Sequence, residues 1–133
     1  TLRRGERWRA PRDQVVSPTY VPDLAMATLD LLVDGESGVW HLANRGAVSW
    51  SMLASMAAEA AGLPTSLIDA VSSDEMGHVA TRPAWAALDS ERGRVMPGLE
   101  DALARYFTDL EPDVLPQPEV ARGEDDDRDR LAA

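Results

Sequence analysis

The chain has 133 residues, of which 44% are hydrophobic and 27% charged, a composition ordinary for one globular domain with a modest core. Cysteine is absent, which excludes disulfides, thiolate metal sites and a cysteine nucleophile. All 13 basic residues are arginine, so chemistry that needs a lysine base, a lysine Schiff base or a lysine phosphate ligand is excluded as well.

Charge is distributed unevenly along the chain. Residues 1–12 carry a net charge of +4, residues 13–110 carry −9 and residues 111–133 carry −5. An acidic body repels phosphate backbones, so we expect no nucleic-acid partner. No apolar run approaches the roughly 18 residues of a membrane span, and no signal peptide opens the chain. These features predict a cytoplasmic protein with no membrane partner.

The first predicted elements are a strand and a helix joined by a turn. "ERWRA" at 6–10 alternates like a strand, and the string "DQVVSPTYVPDLA" at 13–25 follows it. The first half of this string is typical of a strand and a tight turn, and its second half of a helix start. Within this string Pro22 suits the first helical position, and Asp23 complements the positive end of a helix. We expect the helix to run to about Val33, with its inward face formed by Leu24, Thr28, Leu31 and Leu32.

The apolar run "GVWHLAN" at 38–44 predicts a strand covered on both faces, as in a parallel sheet. A parallel neighbour requires a crossover of a dozen or more residues, and only one candidate strand follows in this chain. We therefore expect the missing neighbours upstream of the sequence. The opening Thr1, without a helix cap or strand lead-in, agrees with a segment of a longer protein.

The second half of the chain predicts two more helices and one short strand. Ser49 suits the cap of a helix over 50–61, "SLIDAV" at 66–71 predicts a strand, and a last helix spans about 98–110. Residues 72–97 predict a long loop. The inward positions of the two helices are Leu53, Met56, Ala57, Ala60, Ala61, Leu99, Leu103, Tyr106, Phe107 and Leu110. Residues 111–133, which are acidic and contain three prolines, predict a disordered tail.

No catalytic or metal-binding group stands out in the sequence. His41 lies within an apolar run, which favours a hydrogen-bonded core histidine, and His78 in "MGHVA" favours a surface loop. The serines lack a G-x-S-x-G context, no G-x-G-x-x-G follows a strand, and Tyr-x-x-x-Lys is impossible without lysine.

Arg82 precedes Pro83, which holds the backbone extended within the long loop. An arginine fixed in this way could bind a phosphate or carboxylate, although its spacing alone favours a surface ion pair. Trp40, Trp50 and Trp85 are core candidates, and Trp85 is also a candidate for a cleft wall.

Taken in order, "DQVVSPTYVPDLA", "GVWHLANRGAVSW", an alanine-rich helix ending in "AGL", "TRPAWAALDSER" and "PGLEDALARY" resemble the C-terminal part of the dTDP-4-dehydrorhamnose reductase family. This family consists of extended short-chain dehydrogenases/reductases. The resemblance covers roughly residues 6–110. It implies an α/β fold, namely a substrate-binding lobe of about three main helices and a few short strands, together with the last strand of a main Rossmann sheet.

The resemblance also implies an activity and its partners. The family reduces a 4-keto-6-deoxy sugar nucleotide with NADPH or NADH on the route to dTDP-L-rhamnose. Its cofactor site and its catalytic residues lie in an N-terminal Rossmann part that is missing here. Residues 1–110 are then a lobe that closes over a dTDP-sugar nucleotide, and a homodimer is a further possibility. Among matching positions, the candidate substrate-binding residues are Arg82, Gln14, Ser17, Thr19 and Trp85.

Two alternatives stay open. A non-catalytic relative could keep the same fold as a regulatory or scaffolding subunit, because fold does not fix function. A self-sufficient binding module is the other, and it predicts cooperative unfolding of the isolated chain.

Overall fold

The computed structural model describes residues 1–110, and the predicted disordered tail at 111–133 lies outside the described residues. The described part of the chain contains three α-helices: α1 (Val21–Val33), α2 (Trp50–Ala60) and α3 (Leu99–Asp109). Five short strands accompany them: β1 (Trp8–Pro11), β2 (Val15–Val16), β3 (Val48–Ser49), β4 (Ile68–Val71) and β5 (Trp85–Ala86). Single 3₁₀ turns cover Leu2–Arg4, Thr65–Leu67 and Ser73–Met76.

The strands form two small sheets. β1 and β4 pair in parallel, with Trp8 opposite Ile68, and α2 packs against both of them. In the second sheet β2 is the central strand, antiparallel to β3 and parallel to β5. The two strands predicted over 6–10 and 66–71 are therefore confirmed. β2 agrees with the strand predicted in the first half of the string 13–25, whereas the two-residue strands β3 and β5 are too short for any pattern in the sequence to predict.

The predicted helices form close to their expected bounds. The Ser49 hydroxyl accepts a hydrogen bond from the Met52 amide at 3.2 Å, which confirms the predicted cap of α2. α1 ends at the residue expected, and Gly35 just beyond it adopts a left-handed φ of 71°. The predicted inward face of α1 is wrong in part, because Thr28 and Leu32 are exposed and the buried residue is Ala27.

The predicted strand over 38–44 is not formed. These residues have no strand partner in the described part of the chain, and one isolated bridge, from Arg45 to Gly98, follows them. A strand exists only where a neighbouring edge accepts its hydrogen bonds, and residues 1–110 offer no such edge there. His41 is exposed for the same reason, so its predicted place in a core is wrong. His78 is exposed, as predicted for a surface loop.

The core of the described residues is small and consists mainly of alanine: Ala10, Ala27, Ala54, Ala58, Met96, Leu99 and Ala102. Larger apolar side chains remain outside it. Trp50 and Trp85 are 42% and 68% exposed, which corrects their prediction as core residues, whereas Trp40 is half-buried. α1 also exposes Met26 and Leu29. No helix of residues 1–110 combines the length and apolar character needed to cross a membrane.

Candidate functional site

A cavity of about 320 Å³ opens between two stretches of loop, which is a volume typical of a small-molecule site. We call it the Trp85 cavity, and residues 41–47, 85, 87–90 and 93–96 line it. A second cavity, between α2 and α3, is lined almost entirely by apolar side chains, including Trp8, Trp50 and Phe107. The Trp85 cavity is the better candidate site because it combines an exposed ring with charged groups.

The wall that carries Trp85 is attached to the string 13–25. Val15 lies opposite Trp85 in the parallel pair of β2 and β5, and the Val15 amide donates to the Ala84 carbonyl at 2.8 Å. The Ser17 hydroxyl accepts from the Leu88 amide at 3.0 Å and lies 3.3 Å from the Leu88 carbonyl, to which it donates. The turn after β2 therefore sets the position of this wall.

Asn44 fixes the opposite wall and is 1% exposed. Its side-chain oxygen accepts from the Tyr20 amide at 2.7 Å, and its side-chain nitrogen donates to the Asp23 carboxylate at 2.7 Å. The same nitrogen donates to the Pro97 carbonyl at 3.3 Å. A buried amide with all these bonds made holds its loop in one conformation.

The string 13–25 contains two carboxylates, Asp13 and Asp23, and both bond to residues far away in the sequence. Hydrogen bonds from Arg105, and then from Asn44, hold the pKa of Asp23 below its ordinary value despite partial desolvation. The pKa of Asp13 is lowered chiefly by the Ser73 amide, with further bonds from the hydroxyls of Ser73 and Ser72. Asp13 thereby joins the string to the turn after β4.

The charged lining of the Trp85 cavity comes from Arg45, Asp89 and Arg94. Asp89 and Arg94 form an ion pair at 3.2 Å on the surface. The pKa of Asp89 is lowered first by the Ser90 amide and second by Arg94. Since Arg94 already has a carboxylate partner, Arg45 is the arginine of this lining with no ion pair among the described residues.

Only one of the predicted substrate-binding residues, Trp85, lines the cavity. Gln14 is 5% exposed and Ser17 bonds to Leu88, while the Thr19 hydroxyl donates to the Ser17 carbonyl at 3.3 Å. Arg82 is exposed and lies outside the lining. The structure thus joins Ser17 to the Trp85 wall and leaves Arg82 apart, and the roles of all these residues in binding stay predictions.

Neither Arg45 nor the part played by Asn44 is predicted by the sequence patterns described above. The available signal is the "NRG" that ends the apolar run, because binding residues are common in loops that follow regular elements. Asp23 was interpreted only through its position at the start of a helix. Its ion pair joins residues far apart in sequence, and no local pattern predicts such a pair.

The described residues do not fit a dinucleotide cofactor. A Rossmann site needs a glycine-rich turn from a strand into a helix, where backbone amides meet the pyrophosphate. β2 leads into α1 through "SPTY", and β3 leads directly into α2, so neither junction contains glycine. The longer connection from β5 to α3 contains Gly93 and Gly98 but no G-x-G-x-x-G. Residues 1–110 also hold no group of three or more histidine or acidic side chains that could bind a metal ion.

The chain belongs to the RmlD substrate binding domain family, whose model matches residues 1–110. It is 38% identical over 81 residues to the dTDP-4-dehydrorhamnose reductase of Mycolicibacterium smegmatis, covering 60% of this chain and 25% of that protein. It is also 38% identical over 80 residues to the spore coat polysaccharide biosynthesis protein SpsK of Bacillus subtilis, covering 60% of this chain and 28% of that one.

The fold is similar to that of a solved reductase. The crystal structure of dTDP-4-dehydrorhamnose reductase from Bacillus anthracis in complex with NADP matches with a TM-score of 0.73 and 30% identity. The match covers 80% of this chain and 40% of that one. The predicted family and the predicted α/β substrate-binding lobe are confirmed. The chain spans 25–40% of the length of these relatives.

Proposed function

We propose that residues 1–110 form the substrate-binding lobe of an NAD(P)H-dependent reductase that acts on a 4-keto-6-deoxy sugar nucleotide. The cofactor and the catalytic residues would lie in a Rossmann part outside this sequence. The names of the relatives support the reaction class. Residues 1–110 contain no G-x-G-x-x-G at a junction from a strand into a helix, which supports a cofactor site in another part of the protein.

One observation carries the proposal: residues 41–44 belong both to the unpaired apolar segment and to the wall of the Trp85 cavity. A sheet that paired with this segment would therefore border the cavity directly. The apolar side chains that α1 exposes, Met26 and Leu29 among them, give such a sheet a surface to cover. Substrate clefts commonly form at a junction of this kind, between two parts of a protein.

Within this lobe Arg82 and Trp85 are proposed to contact the nucleotide, with Gln14, Ser17 and Thr19 as weaker candidates. Trp85 is 68% exposed at the cavity, so its ring is available for stacking. Arg82 has no hydrogen bond or ion pair within residues 1–110, which leaves its guanidinium available for an anion. Ser17 and Thr19 would act mainly by holding the wall.

The test is reductase activity of the complete protein that contains these residues. Oxidation of NADPH or NADH is followed with a dTDP-4-keto-6-deoxy sugar as the substrate. We expect Arg82→Ala to raise the KM for the sugar nucleotide about tenfold, the loss of one charge-assisted hydrogen bond. Arg9→Ala removes a surface arginine that pairs with Glu75 outside the cavity, and it should leave the KM unchanged.

Calorimetric titration of the dTDP-sugar into the same protein separates this function from the regulatory or scaffolding alternative. Saturable heat supports the reductase. No heat at millimolar ligand, together with no oxidation of the reduced nicotinamide, would overturn the reductase and favour the alternative.

A further inference from the structure

We propose that Arg45 binds the diphosphate of the nucleotide in the Trp85 cavity, a role that rests on the function proposed above. Arg45 lies on the wall formed by residues 41–47, and Trp85 lines the same cavity. A guanidinium that can fork onto phosphate oxygens and an exposed ring that can stack on a base are the two groups that a nucleoside diphosphate needs.

The pairing of the other arginines singles out Arg45. Seven of the ten arginines in residues 1–110 pair with a carboxylate or bond to a carbonyl, as Arg7 does with Asp69 and Arg12 with the Ala70 carbonyl. Arg45 and Arg82 are the two whose side chains have no hydrogen bond or ion pair within this range. Of these two, only Arg45 lines the cavity.

The backbone around Arg45 is rigidly held although its side chain is unpaired. The Arg45 amide donates to the Pro97 carbonyl at 2.8 Å, and the Arg45 carbonyl accepts from the Leu99 amide at 2.9 Å. Asn44 precedes it, buried and fully bonded. Gly46 follows with φ 132°, where an added Cβ would lie 3.4 Å from the Leu99 Cβ. The fold thus fixes the base of this side chain and leaves the guanidinium available for a ligand.

The electrostatic setting favours the same role. Residues 13–110 carry a net charge of −9, so most of this body repels a diphosphate. The cavity lining differs, because two arginines face a single carboxylate there, and that carboxylate, Asp89, pairs with Arg94. The unpaired charge of Arg45 therefore gives the cavity a point in this acidic body where an anion can bind.

Dinucleotide cofactors also contain a diphosphate, so two ligands must be compared. The complete protein is titrated with dTDP, with thymidine and with NADPH, as wild type and as the Arg45→Gln variant. We expect Arg45→Gln to weaken dTDP binding about 10- to 100-fold, as the loss of a bidentate charge-assisted contact does. Thymidine binding and NADPH binding should stay at their wild-type values.

Two further variants serve as controls. Arg45→Lys keeps the charge without the fork and should fall between wild type and Arg45→Gln. Arg94→Gln removes the cavity arginine that is already paired, and it should weaken dTDP binding less than Arg45→Gln does. Unchanged melting temperatures would show that each variant is folded.

Three other outcomes of these titrations would each overturn either the role of Arg45 or the proposed function. If wild type binds dTDP and Arg45→Gln binds it equally well, the role of Arg45 is wrong and the proposed function stands. If Arg45→Gln weakens only NADPH binding, the diphosphate at Arg45 belongs to the cofactor and the substrate role is wrong. If wild type does not bind dTDP at all, the proposed function fails together with this inference.

Discussion

Asp23 at the start of α1 and Arg105 in α3 form a two-point ion pair, with contacts of 2.6 and 2.8 Å. Asp23 also accepts from Asn44, and Arg105 also bonds to Asp101 at 3.0 Å. A single carboxylate therefore joins two helices and the loop that forms one wall of the Trp85 cavity. The side chain of Asp23 is 8% exposed, so this bond is largely shielded from water.

The Asp23–Arg105 pair predicts a pH dependence of stability. Since the folded state lowers the pKa of Asp23, its stabilising contribution is complete above the unfolded pKa, about 4, and is lost as the pH falls through the lowered folded value. We expect Asp23→Asn to reduce the free energy of unfolding at pH 7. This difference from wild type should shrink with acidification below about pH 4, as urea unfolding at several pH values can measure.

The matched control is Asp30→Asn, which removes an exposed carboxylate on the same helix that has no ion pair among the described residues. It should change stability by less than about 0.5 kcal/mol at pH 7. A constant difference between Asp23→Asn and wild type from neutral to acidic pH would contradict the role given to this pair.

Asn44 and Arg45 are neighbours, but we expect their replacement by alanine to affect stability to very different extents. Asn44→Ala leaves the buried Tyr20 amide without its acceptor and Asp23 with Arg105 as its remaining side-chain partner, and we expect a loss of about 2–3 kcal/mol in the free energy of unfolding. Arg45→Ala removes an exposed, unpaired side chain and should change it by less than about 0.5 kcal/mol. Equal losses in the two variants, measured by chemical unfolding, would show that the Asn44 bonds do not hold the loop.

Ser17 is expected to control the mobility of the Trp85 wall. Ser17→Ala removes both hydrogen bonds to Leu88, which predicts a loss of about 1–2 kcal/mol and a looser wall. In a background with the other three tryptophans changed to phenylalanine, acrylamide should quench Trp85 more strongly in Ser17→Ala. Thr19→Val, which removes only the bond to the Ser17 carbonyl, should show much less of this increase. Quenching unchanged by Ser17→Ala would contradict this role.

Arg92 covers the ring of Trp40, with its guanidinium carbon 4.2 Å from the ring centre, and also pairs with Glu36. We expect Arg92→Gln to shift Trp40 emission to the red, because the ring would become more accessible to water. The free energy of unfolding should fall by no more than about 1–2 kcal/mol, as expected for an exposed cation–π contact and ion pair. Arg94→Gln, whose pair is with Asp89, should leave Trp40 emission unchanged, and an equal shift in both variants would contradict the contact.

The helices of this chain were predictable because their signals are local. Ser49 as a cap, Gly35 after a helix end and apolar spacing over 99–110 each depend on neighbours within a few residues. The strand predicted over 38–44 is not formed, because its formation depends on more than local signals. Its sequence fits a buried strand, but a strand needs a partner edge, and residues 1–110 offer none.

The residues of the candidate site also differ in whether local sequence predicts them or only the tertiary structure reveals them. The sequence selected Trp85 and Arg82 by their position in a long loop, and the structure puts only Trp85 at the cavity. Arg45 emerged from two facts that no local pattern contains: it is the unpaired arginine that lines the cavity, and its backbone is bonded to Pro97 and Leu99.

By itself the sequence determined the three helices, the acidic body without lysine or cysteine, and the family, because composition, caps and ordered motifs are properties of the chain. Only the tertiary structure decided what the string 13–25 does. Its polar groups bond to Ser73, Leu88, Asn44 and Arg105, which lie from 21 to 82 positions away from them along the chain. Hydrogen bonds over such separations depend on how the helices and loops pack against one another. The local sequence therefore shows that the string is distinctive, but not which segments of the fold it joins.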